Sequence, residues 1–573
     1  MNEELITYIY ENGIINNKAL AEKYLPTPPY PLKTIAGIDG FIMNWLIYEP
    51  SLRLDDIDTA DSPEQAPEKW KYFRIENEYS LRPRRLVLGS PGDQNRAVAN
   101  TSRDKGCLHA ATYLWAESEQ DVCLESDHFY GFNIWINDEL TIDRLDDEPK
   151  VSYGADENIV PVHLKSGPNL LAWKIRIAED GNTHKDRHSL RLTGADMFPL
   201  NSVKVALSAA NPKEQHDQEI VIGKLPNEVD QVRHFVSNYY SRTSSYNYFN
   251  KLYCKPRLCE FSASTPSELE GWQQKTRQKL IEILGQPPEL CDLNPKTIME
   301  EDKGSYTKEL LELQVEEDLW MPVFLFMPKN LFKEGASVIY VGGHGGIDVT
   351  HIDYVLECLN RGYIVLSVES RWYHRRSDPV EFSTSLLRES FRVQKQDVHF
   401  GQHMCDFTAR RAIAFGKNTM AMTVYDLMRA VDFLIRHTNV DNDRIGTSGI
   451  SLAGSITPFF AAVDARIKAT VASCFVVNYR FNQLHQYACG SLVVPGLTEY
   501  MDNHEICSLI APRHLLMERG IKNHRGIREN YVYRYIQRMY EIAECPEKVK
   551  VDLFFGVHEY NGIKSVDWFD ECL

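Results

Sequence analysis

Apolar positions follow three successive rhythms along the chain. Over residues 1–25 they stand at helical spacing (Leu5, Ile6, Ile9, then Ala19, Leu20, Ala21, Leu25) until the breaker run PTPPYPL, which predicts a short helical segment. The second rhythm is strand-like: FIMNWLIYEP (41–50), ATYLWAES (111–118), DVCLES (121–126), FNIWIND (132–138), IVPVHLK (159–165) and NLLAWKIRI (169–177), parted by Asp, Gly, Asn and Ser. Short aromatic and β-branched runs between turn signals predict an all-β sandwich. Trp115, Trp135 and Trp173 lie on these runs and read as core.

Residues 200–262 are polar and tyrosine-rich, a connector by composition. SELEGWQQKTRQKLIEILG (267–285) predicts a helix with Ser267 as N-cap, Glu270 three residues on, and Gly285 as the stop. From about 305 the third rhythm begins. YTKELLELQV and WMPVFLFMPKN predict an antiparallel pair. ASVIYVGG, GYIVLSVES, DRIGTSGIS, RIKATVASC, RHLLMERG and KVKVDLFFG then alternate with helical text such as MTVYDLMRAVDFLIRHT. That alternation predicts an α/β fold with a mainly parallel sheet. The expected organisation is a helical segment over 1–34, a β-sandwich over 35–200, a connector over 201–290 that includes helix 267–285, and a catalytic α/β domain over 291–573.

At 573 residues, several domains are the natural expectation. A formal net charge of −17 argues against nucleic acid or an anionic membrane as the primary partner. No apolar run is long enough to span a bilayer. The start MNEELITYIYENGI lacks the basic and apolar regions of a secretory signal, and twelve cysteines are scattered without a dense framework. Both features point to a cytoplasmic protein with reduced thiols.

The chemistry concentrates in RIGTSGISLAGS (444–455). A serine hydroxyl attacks only when a base takes its proton, and a nucleophile elbow presents that hydroxyl on a tight strand-to-helix turn. Small residues flank Ser451 in the sequence Gly449-Ile450-Ser451-Leu452-Ala453, with Ala453 where the second glycine of the pattern belongs and Gly454 next. Ser448 competes less well because bulky Ile450 occupies its +2 position. An oxyanion hole needs unobstructed backbone N–H groups, expected here from Gly345 or Gly346 in ASVIYVGGHGG and from Leu452. His344 in that loop reads as structural, and GGHGG lacks the G-K-[ST] ending of a phosphate loop.

The base is expected after the last strand, where VDLFFGVHEYNG supplies His558; the acid is expected near the penultimate strand, where Glu518 ends RHLLMERG and Asn523 follows in the loop. Arg371 and His374, in RWYHRRS after a sheet strand, are candidates for contact with an anionic substrate or for pairing with the protein's own carboxylates. No metal site is expected: His399 and His403 lack the H-E-x-x-H context, and Cys254 and Cys259 lack a second pair. No cofactor motif is present.

Taken together, VIYVGGHGG, RGYIVLSVESR, VYDLMRAVDFL, VDNDRIGTSGISLAGS, DARIKATVASC, VPGLTEYMD, LIAPRHLLMERG and FFGVHEY make residues 310–573 resemble the alpha/beta-hydrolase superfamily, in its bacterial acetyl-xylan-esterase and dienelactone-hydrolase-like branch. WLIYEP, GFNIWINDEL, SGPNLLAWKI and HSLRL likewise resemble galactose-binding-like jelly-roll sandwiches. The first resemblance implies Ser451 as nucleophile and His558 as base, and it puts Asn523 where the family carries an aspartate. Cleavage of a small carboxylic ester or an acylated sugar through an acyl-enzyme is the expected reaction. Acyl transfer or cyclisation on the same elbow, and an inactive carbohydrate-binding scaffold, are the alternatives.

Overall fold

The computed structural model describes 44–48, 52–53, 70–74, 106–127, 131–144, 159–176, 189–194 and 202–206 with isolated neighbours, and most of 256–573. Within the latter, 331–334, 345–351, 372–375, 377–399, 483–488, 521–526 and 555–557 are the main stretches outside the described residues. The expected helical segment over 1–25 also lies outside them. Two compact units emerge, Met1–Lys255 and Pro256–Leu573.

In the first unit every strand-like run quoted above contains a strand. The described strands are β1 (Asn44–Tyr48), β2 (Leu52–Arg53), β3 (Trp70–Arg74), β4 (Gly106–Ala116), β5 (Gln120–Asp127), β6 (Phe132–Ile136), β7 (Glu139–Asp143), β8 (Ile159–Leu164), β9 (Gly167–Arg176), β10 (Ser189–Thr193) and β11 (Val203–Ala206). One sheet runs β3-β1-β4-β9-β6-β7, with β2 and β11 also on β4; a second runs β10-β5-β8, and every pairing is antiparallel. Alternate residues of β6 are buried, the period-2 signature of a sheet with one face on a core. Trp173 is buried against Trp45, ring centroids 5.3 Å apart, while Trp115 and Trp135 are half-buried.

The second unit opens on helix α1 (Pro266–Leu284). Its N-cap is Thr265, not Ser267: Thr265 and Glu268 form the reciprocal capping box, and Pro266 takes the first turn, where its missing N–H costs nothing. The helix is tied into this unit, because Gln273 donates to the carbonyls of Ser508 and Ala511 and Arg277 to those of Ala462 and Leu509.

A nine-stranded sheet follows: β12 (Lys296–Asp302), β13 (Tyr306–Glu316), β14 (Leu319–Pro328), β15 (Ser337–Val341), β16 (Ile364–Val368), β17 (Ile445–Ile450), β18 (Ala469–Ser473), β19 (His514–Gly520) and β20 (Val549–Phe554). Its order is β12-β13-β14-β16-β15-β17-β18-β19-β20. β12, β13, β14 and β16 pair antiparallel, and every pairing from β16 to β20 is parallel. All residues of β15 to β18 are buried, as expected of parallel strands covered on both faces. Helices α2 (Ile352–Asn360), α3 (Phe400–Ala414), α4 (Thr419–His437), α5 (Leu452–Val463), α6 (Asn503–Ser508), α7 (Ile527–Ile542) and α8 (Gly562–Cys572) are among those of the unit. β12 is one element the sequence pattern missed; it is an edge strand, exposed almost throughout.

Because parallel strands share one direction, the loops that leave β15, β16, β17, β19 and β20 gather at one sheet edge. Beneath it lies a buried ionic knot. Arg371 binds both oxygens of Asp426 on α4, at 2.6 and 2.7 Å, and Glu316 at 2.6 Å; Arg376 binds Asp426 at 2.8 Å. Removing one member of a buried charge cluster strands the others, at a cost of about 3–5 kcal/mol. Asp426→Ala is therefore expected to move the unfolding transition of the full chain to clearly lower denaturant. An unshifted curve would show that the knot contributes nothing.

Candidate active site

Ser451 stands between β17 and α5 with φ 62° and ψ −122°, a backbone conformation that costs a non-glycine residue of order 1–3 kcal/mol. Its amide donates to the Ser473 carbonyl at 3.0 Å, extending the β17–β18 pairing, and its carbonyl accepts the first helical bond from Ser455 at 3.2 Å. Although it is the N-cap, its side chain makes no capping hydrogen bond. Half-buried Ser451 thus keeps its hydroxyl for other work.

Tight packing explains the residues around it. A Cβ on Gly449 would lie 2.6 Å from the Ala453 carbonyl oxygen and 2.7 Å from the Ala453 methyl; one on Gly454 would lie 2.1 Å from the Ser473 carbonyl oxygen. The methyl of Ala453 is accommodated because Gly449 has none, and the obligatory second glycine has moved to Gly454. Ser448 is fully buried and donates to the Tyr560 hydroxyl at 3.4 Å, which removes it from the accessible edge.

On the other side of the elbow the loop after β15 passes equally close. A Cβ on Gly343 would lie 2.8 Å from the Ile450 carbonyl oxygen and 3.7 Å from the Ser451 Cβ. Gly345 and Gly346 lie outside the described residues, as do His374 and Asn523. Leu452 is buried as the first residue of α5. Arg371 is 2 % exposed, its guanidinium held by Asp426 and Glu316.

His558 is exposed in the loop after β20. That loop folds back to the end of β18: the Cys474 thiol donates to the Glu559 carbonyl at 3.3 Å. Ser473 therefore accepts from the Ser451 amide, while Cys474, the next residue, donates to the residue that follows His558. The structure brings Ser451 and His558 to the same strand end by this route.

Two further anchors hold the loop from below. Tyr560 stacks on Tyr354 of α2 with centroids 4.5 Å apart and a 10° interplanar angle. Glu518, near the end of β19 and 1 % exposed, accepts from the Asn561 amide at 3.3 Å and from the Ser565 hydroxyl at 2.5 Å. Burial, opposed by these hydrogen bonds, pushes its carboxyl up to about 7. Cys474, Tyr560, Asn561 and Ser565 were missed by sequence reasoning; only their nearness to His558 or the last strands marked them.

A second group also escaped it. His344, Cys405 on α3 and Cys489 bring their ligand atoms within 4.8 Å of one another. The Cys489 thiol is pulled down to about 5, first by a hydrogen bond with Cys405, against burial, and then by His344. Ten of the described cysteines are free thiols. Among the described residues no helix is long and apolar enough to cross a membrane.

A mainly parallel sheet with a strained serine on the turn from β17 into α5 is the architecture of an alpha/beta-hydrolase. Residues 238–561, more than half of the chain, match the sequence model of the Abhydrolase family, and the chain belongs to that family. Over 254 residues, 41% of this chain and 77% of the relative, it is 26% identical to a Bacillus subtilis (strain 168) protein named "Putative hydrolase YtaP". Among solved structures it is similar to methylesterase BT1017 (17% identity, TM-score 0.42, covering 57% of this chain and 66% of that one). It is also similar to a glucuronoyl esterase from Solibacter usitatus (15% identity, TM-score 0.38, covering 54% and 98%).

Two outcomes are expected from this geometry. Gly454→Ala forces a methyl into the Ser473 carbonyl and should lower both the melting temperature and the yield of folded protein. A wild-type melting temperature would mean that β18 yields more readily than its packing implies. Glu518 carries a folded pKa above its ordinary carboxylate value, so the folded state holds its proton more tightly. Its contribution is neutral below about 4.5 and turns destabilising as pH rises, levelling above about 7 at roughly 3 kcal/mol. Glu518→Gln should match wild type in thermal unfolding at pH 4 and exceed it at pH 8. A constant difference across that range would contradict the buried, proton-holding carboxyl.

Proposed function

We propose that this chain hydrolyses carboxylic esters of small molecules or acylated sugars through an acyl-enzyme on Ser451. The observation that carries the reading is the strained Ser451 backbone, which holds an uncapping, half-buried hydroxyl at the start of α5. In this reading His558 takes the proton from Ser451 as its oxygen attacks the acyl carbon. The Leu452 amide, with the positive end of the α5 dipole behind it, and the glycine loop at Gly345 and Gly346 receive the oxyanion. His558 then gives its proton to the departing alcohol, and water, activated by the same imidazole, releases the acid.

Glu518 serves in this scheme as the acidic member that positions the His558 loop, through Asn561 and Ser565. Asn523 remains the other candidate beside it. Arg371, engaged by Asp426 and Glu316, supports the knot beneath the site more directly than a substrate, whereas His374 is kept as a candidate contact. In this reading the first unit is a jelly-roll-like sandwich, supported by the resemblance of its strand runs and by its antiparallel pairings. The abundance of free thiols favours a reducing, cytoplasmic setting.

A fluorophosphonate probe should label Ser451 in the folded full chain, and p-nitrophenyl ester turnover should fall roughly 10³-fold or more in Ser451→Ala and in His558→Ala. Absence of label on Ser451, or turnover that survives Ser451→Ala, would overturn the proposal.

A further inference from the structure

The glycine loop beside the elbow carries a group of side chains that ester hydrolysis does not use. His344 follows Gly343, the residue pressed against Ile450 and Ser451. Its Nε2 lies 3.4 Å from the Sγ of Cys489, and with Cys405 the three donor atoms fall within 4.8 Å of one another. A tetrahedral Zn²⁺, with Zn–S about 2.3 Å and Zn–N about 2.0–2.1 Å, sets neighbouring sulfur and nitrogen ligands about 3.6 Å apart. The observed spacing matches such an edge.

Backbone packing builds this arrangement. Cys489 precedes the turn Gly490–Leu492, whose Gly490 amide donates to Asp406 Oδ1 on α3 at 2.7 Å. A Cβ on Gly490 would lie 2.7 Å from that oxygen and 3.0 Å from the Ala409 methyl. The turn is therefore seated on the helix that bears Cys405. Both cysteines are buried and His344 is half-buried, so the group is enclosed on the sulfur side and reachable from the imidazole side. Two sulfurs and one imidazole suit a thiophilic cation and not calcium or magnesium, which take oxygen ligands.

We propose that His344 Nε2, Cys405 Sγ and Cys489 Sγ form a three-ligand site for a thiophilic divalent cation of the Zn²⁺ class, its fourth position left to water. Metal bound there joins α3, the turn at Gly490 and the glycine loop, and so fixes the strand-end loop that abuts Ser451.

The test uses reduced, chelator-stripped full-length protein titrated with Co²⁺. The expected result is a thiolate-to-cobalt charge-transfer band that saturates at one equivalent and is displaced by Zn²⁺. The band should be lost in Cys405→Ser and in Cys489→Ser and kept in Ser451→Ala, which separates this site from the esterase reading. If the cysteine variants do not fold, protection of Cys405 and Cys489 from alkylation by Zn²⁺, mapped by mass spectrometry on the unaltered chain, gives the same answer. No band, a band unchanged in both cysteine variants, or no protection would overturn the proposal.

Discussion

The site depends on how closely α5 and the loop after β15 approach the end of β17. At Gly449, Gly454 and Gly343 a single added carbon would stand 2.1–2.8 Å from a neighbouring main-chain oxygen. Those distances leave room for hydrogen only, and they are what hold Ser451 in a conformation its own side chain disfavours. The strain at the serine is local, whereas the buried strands that over-determine it span the whole second unit. Packing of this kind explains why Ser451 keeps its strained backbone and makes no helix-capping hydrogen bond.

The histidine is held by a different kind of contact. His558 is exposed, and the residues that follow it anchor its loop: Glu559 on Cys474, Tyr560 on Tyr354 and Ser448, and Asn561 on Glu518 and on Asp552. Three consecutive residues thus reach α2, β17, β19, β20 and the residue after β18. Glu518 is the most costly of these anchors, since a carboxyl enclosed among Ser473, Ser565 and backbone is poorly solvated when charged.

Much of this was legible in the sequence, for identifiable reasons. The parallel strands β15 to β18 are buried on both faces, so β15 and β16 read as largely apolar runs and β17 and β18 as runs of small and apolar residues, with the elbow directly after β17. β12 was invisible because its side chains face solvent and no burial imprints a period on KTIMEED. Thr265 was passed over as cap because Ser267 offered the same S-x-x-E spelling. The His344, Cys405 and Cys489 group had no spacing motif to betray it, since its members come from a loop, a helix and a turn far apart in the chain. Glu518 was visible as a strand-end acid, yet its partners Asn561 and Ser565 emerge only once β19 and β20 lie side by side.

The exposed border strand also governs how the molecule behaves in a crowd. β12 pairs with β13 alone among the described strands and leaves Ile298 and Met299 in water. A border of that sort invites a neighbouring chain to extend the ladder. Consecutive Glu300, Glu301 and Asp302 point to alternate sides, so negative charge lines both faces of the open margin. Any strand docking there must strip water from carboxylates above and below, which opposes extension of the ladder at this margin.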